Sequence, residues 1–72
     1  MSAFKALEEL NVALFTEANA GPPGTYYKLL AERAGAFGAA IQAARSEVER
    51  SSHMNFVDGL ASALRRALAT TA

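Results

Sequence analysis

Residues 34–44 read AGAFGAAIQAA, a run without a single charge in a chain of 72 residues. The run lies between Arg33 and Arg45 in a helical pattern, with apolar or small residues on every side. A helix apolar all round is normally buried all round. A chain this short has little mass of its own to bury it with. Small domains are marginal unless disulfides, a metal, oligomerisation or very regular helix packing support them. The chain has no cysteine, so it has neither a disulfide nor a thiolate metal site. The run is therefore expected to pack against other chains.

Charge balance points the same way. The net charge is zero, which removes the self-repulsion that keeps small proteins apart. It also disfavours a polyanion partner, because nucleic-acid binders carry a basic face. The N-terminus has no basic start followed by an apolar run, so no signal peptide is read. No stretch approaches the roughly 20 apolar residues of a membrane span. A cytoplasmic location, or a place within a larger assembly, is expected.

The chain reads as one small helical domain over residues 1–72, all-α, with helices at about 2–18, 25–50 and 55–69. In the first segment Phe4, Leu7, Leu10, Leu14 and Ala18 recur at three- and four-residue steps, and Val12 and Phe15 broaden the face. Ser2 is a candidate N-cap, and Asn11 sits in the seam as a register-setting polar group. Gly21-Pro-Pro-Gly24 ends this helix, because two prolines cannot continue it. Gly21 is the expected left-handed cap and Thr25 the expected N-cap of the second helix. Tyr27, Leu30, Ala34, Phe37, Ile41, Ala44 and Val48 then follow steps of 3, 4, 3, 4, 3, 4, a seam of about three heptads. Gly35 and Gly38 interrupt its propensity and leave room for another backbone. The helix is either continuous or broken near these glycines. Ser51-Ser-His-Met-Asn55 is a break, with Asn55 or Ser52 capping a third helix whose stripe is Val57, Leu60, Leu64 and Leu68. Thr70 onward should fray. The architecture is a three-helix bundle, or a helical hairpin plus a third helix, with a Pro-Pro turn between helices one and two.

No catalytic, cofactor or metal constellation is read, and the chain is not expected to be an enzyme. His53 is the sole histidine and is expected at the surface. Glu8 and Glu9 are adjacent and point to different sides of a helix, and Glu47 and Glu49 likewise diverge. No G-x-G-x-x-G or P-loop pattern occurs. Tyr26 and Tyr27 open the second helix; Tyr27 is read as stapling it to the first, or as an interface aromatic. Arg65 and Arg66 suit a solvated last turn.

Residues 24–44, GTYYKLLAERAGAFGAAIQAA, resemble the helix-turn-helix of lambda-repressor-like DNA-binding proteins. Ala31, Gly35 and Ile41 occupy the places of that family's close-packing alanine, turn glycine and aliphatic anchor. Leu30, Ala34, Ala36 and Ala44 fall at its apolar positions. The resemblance implies DNA binding through Gln42, with Arg33, Arg45 and Lys28 on phosphates. Phe37 stands where the family usually has a Ser or Thr cap. Phe37, Gly38, Ala39 and Ala43 give the base-facing side no polar group besides Gln42.

The leading expectation is a non-enzymatic assembly or adaptor subunit, such as a virion or secretion component, packing against copies of itself or a larger protein complex. Its interface is expected at Tyr27, Leu30, Ala34, Gly35, Phe37, Gly38, Ile41, Ala44 and Val48. On that reading Ile41→Asp abolishes assembly while sparing the monomer's helices. The alternative is a small helix-turn-helix regulator using Arg33, Gln42 and Arg45.

Overall fold

A computed structural model describes residues 2–48 and 52–71. Its described residues form α1 (Ala3–Ala18), α2 (Thr25–Glu32), α3 (Ala34–Glu47) and α4 (Met54–Thr71), with no strand among them. The all-α class and the small helical bundle are therefore observed, with four helices rather than three.

Ser2 caps α1 as its sequence suggests: its hydroxyl accepts the Lys5 amide at 3.0 Å, satisfying a first-turn donor. At the other end, the Ala20 and Gly21 amides bond back to the Glu17 and Ala18 carbonyls. The two roles expected of Gly21 and Thr25 both fall to Gly24. Gly21 does not take positive φ; Gly24 does, at φ 93°, and it occupies the N-cap position of α2. Thr25 is the first helical residue, and its hydroxyl donates to the Pro22 carbonyl at 2.6 Å instead of capping. Gly21 is needed for space, because a Cβ there would lie 2.6 Å from Thr25 Oγ1.

The helix expected over 25–50 is two helices, joined at Arg33 (φ −109°, ψ 25°). The break precedes Gly35 by two residues. Its physical reason is compactness. One helix over 25–50 would span roughly 39 Å, beyond the 35 Å longest dimension of the molecule. Folding at Arg33 lays α3 along α1 and α2 along α4, the two most extensive helix contacts. Glu49, Arg50 and Ser51, which were placed at the end of this helix and in the following break, lie outside the described residues. Helix α4 starts on the Ser52 and His53 carbonyls, which accept the Asn55, Phe56 and Val57 amides, and runs past Thr70, where fraying was expected.

The core draws on all four helices. Leu7 and Leu14 come from α1, Leu30 from α2, Phe37, Ile41 and Ala44 from α3, and Val57, Leu60, Ala61 and Ala67 from α4. Val48, the C-cap of α3, completes it. Phe37 is the largest fully buried side chain, at 1 % exposure. Leu64 is only half-buried and Leu68 is exposed, so the α4 stripe turns inward through alanines at its C-terminal end.

Candidate protein-interaction surface

The expected interface divides by burial. Leu30, Phe37, Ile41, Ala44 and Val48 are interior to the single chain, enclosed by its own helices. Tyr27, Ala34 and Gly38 are half-buried, and Gly35 is exposed. The stripe that the periodicity marks is buried, and within the single chain its neighbours are the chain's own helices. A Cβ built on Gly35 or Gly38 would meet nothing within 4 Å, so no backbone of this chain uses those positions for close approach. Tyr27 faces α4, lining a shallow depression with Gly59, Ser62, Ala63 and Arg66. The residue that joins α1 to α2 is instead Tyr26. Its hydroxyl donates to Asn11 Oδ1 at 3.0 Å, and its ring lies 4.6 Å from that of Phe15. Burial, and secondarily the neighbouring Tyr27, push the Tyr26 phenol above its ordinary pKa.

The candidate DNA contacts are placed as follows. Arg33 forms a two-pronged ion pair with Glu17 at 2.6 and 2.8 Å. That hydrogen bond lowers the Glu17 pKa and raises that of Arg33. Arg45 pairs with Asp58 at 3.0 Å. Gln42 is exposed on α3. Gly35 lies in the first turn of α3, not in a left-handed turn. The turn therefore sits at Arg33, ahead of the position the helix-turn-helix resemblance implies.

Large apolar side chains reach solvent on α1 and, at Phe56 and Leu68, on α4. Val12 is 63 % exposed, Phe15 49 % and Leu10 36 %. Val12 borders an open apolar groove along the outer side of α1 with Lys5, Glu8, Glu9 and Ala13. Phe15 borders a separate hollow formed with the Pro22–Pro23 turn and Tyr26. Val12 and Phe15 broaden the apolar face of α1 without being buried. At 100° per residue, Val12 lies roughly 140° from Leu7 and 160° from Leu14, almost opposite the side they bury.

The other end of the bundle is tied by polar and aromatic contacts. The Glu47 carboxylate accepts the Ala3 and Phe4 amides at 2.8 and 3.0 Å. These bonds, that from Phe4 first, hold its pKa below the ordinary carboxylate value. Phe4 stacks on the exposed His53 at 4.3 Å and meets Phe56 edge-on at 5.5 Å. Among the described residues there is no buried polar side chain and no group of three or more potential metal ligands. No helix among them is long and apolar enough to cross a membrane. Comparison with protein-family models, curated protein sequences and solved structures returned no match to this chain.

Proposed function

We propose that this chain is a non-enzymatic helical subunit that works by protein–protein packing, on itself or on a larger complex. One observation carries the reading: α1 leaves Val12 and Phe15, three residues apart on one helix, about half or more exposed, each bordering an open surface depression. Burying such side chains is worth about 1.5–3 kcal/mol each, and exposed apolar patches mark interaction sites more often than scattered single residues do. The surface offered is the outer face of α1, because the heptad seam is already spent on the protomer's own core. Light scattering across a dilution series, alone and with cell extract as competitor, tests the reading. Association that Val12→Lys weakens supports it; a monomer at every concentration, with no complex recovered at the α1 face, removes it.

The helix-turn-helix alternative draws support from the chain's break into α2 and α3 at Arg33. The pairing of Arg33 and Arg45 with carboxylates weighs against it. A gel shift with random duplex DNA at low salt decides, because non-specific affinity is strongest there.

A further inference from the structure

We infer that Arg33 is a hinge through which two copies of this chain exchange halves, α2 and α3 straightening into one helix in a domain-swapped dimer. The inference rests on the self-association arm of the proposed function and names its mechanism.

Four observations converge on it. First, the hinge is a single residue that already keeps helical bonds on both sides. The Arg33 amide donates to the Leu29 carbonyl at 3.0 Å, and the Arg33 carbonyl accepts the Phe37 amide at 3.0 Å. The Ala34, Gly35 and Ala36 amides open α3, where a helix start leaves amides without intrahelical partners. Second, nothing local in the sequence compels the bend. Neither proline nor positive-φ glycine stands there, and the start of α3 has no side-chain cap. Straightening satisfies the three amides that a helix start leaves unpaired. Third, the apolar steps from Tyr27 to Val48 run unbroken through Arg33, so the sequence pattern is that of one helix.

Fourth, the contacts divide cleanly into two halves. Helices α2 and α3 make the least contact of any packed pair, so little is lost when they separate. The α1–α2 half keeps the Tyr26–Asn11 bond and the Glu17–Arg33 pair. The α3–α4 half keeps Arg45–Asp58. The α1–α3 and α2–α4 packing, with the Glu47 bonds to Ala3 and Phe4, re-forms between copies. A second copy supplies the same surfaces in the same geometry, which is why swapping is a low-cost route to a dimer. The core that closes the monomer then becomes the interface of the dimer.

The test is refolding at high concentration, followed by dilution, size analysis and amide exchange on the separated species. The expected result is a dimer that persists on dilution. In it the Ala34, Gly35 and Ala36 amides exchange on the order of a hundredfold more slowly than in the monomer. Gly35→Ala should raise the dimer share, since it favours helix and its Cβ meets nothing within 4 Å in the closed form. Ala34→Pro should remain monomeric, because proline is tolerated at a first helical position and breaks a helix interior. If Ala34→Pro does not fold, the Gly35→Ala shift and the exchange rates decide alone. A dimer whose three amides exchange at the monomer rate overturns the swap and leaves association through α1 standing. Absence of any dimer overturns the swap and leaves docking on another protein as the sole form of the proposed function.

Discussion

Glu47 closes α3 and opens α1: its carboxylate oxygen accepts the Phe4 amide at 3.0 Å across 43 residues of chain. The same carboxylate takes the Ala3 amide, so one side chain satisfies two of the donors that a helix start leaves unpaired. A carboxylate at a helix N-terminus also meets the positive end of the helix dipole. Ser2 contributes the local cap and Glu47 the tertiary one.

Acid should loosen this end. Hydrogen bonds hold the Glu47 pKa below its ordinary value, and the Arg33 bond does the same for Glu17. A carboxylate depressed in the folded state contributes stability that is present above its unfolded pKa and is lost as pH falls through its folded one. Stability should therefore decline as pH drops below the ordinary carboxylate range. Thermal melts of Glu47→Gln should show a lower midpoint at neutral pH and a shallower acid dependence. A variant melting like the parent at both pH values contradicts the cap.

The interior should answer to substitution as a core. Phe37→Ala should cost about 3–5 kcal/mol, a large share of the stability of a domain this small. Ile41 is 6 % exposed, so Ile41→Asp places a carboxylate in the core and should unfold the monomer. This reverses the expectation, drawn from periodicity, that the monomer's helices survive it. Circular dichroism at low concentration distinguishes the two.

The α1 surface should behave in the opposite way. Val12→Lys should change stability by no more than about 0.5 kcal/mol, as surface substitutions do, while weakening association in sedimentation velocity. A large drop in urea midpoint would place Val12 in the fold and not on a free face.

The turn should show two different glycine requirements. Gly24→Ala forces a Cβ residue into the left-handed region at a cost of about 1–2 kcal/mol, although no neighbour stands within 4 Å. Gly21→Ala meets Thr25 Oγ1 directly. Adding Thr25→Ala should therefore relieve the Gly21 defect, whose closest contact is the hydroxyl, and leave the Gly24 defect unchanged. Urea midpoints of the four variants give the comparison.

Local chemistry carried much of this fold. The Ser2 cap, the Gly-Pro-Pro-Gly stop, the alternating four- and three-residue steps of Phe37, Ile41, Ala44 and Val48 and the restart after Ser52 each follow from neighbours in sequence, so the helical class and the buried stripe were legible from the chain alone. Which partner covers that stripe was not legible, because apolar burial is non-directional and periodicity names a face without naming its occupant. The bend at Arg33, which turns one long helix into two and lets the chain cover itself, is decided by contacts that α1 and α4 make across the bundle. The reach of Glu47 to Phe4 arises in the same way, from groups distant in sequence that meet only once the bundle has closed; the positive φ at Gly24 in place of Gly21 is settled by the turn's own Thr25–Pro22 bonds.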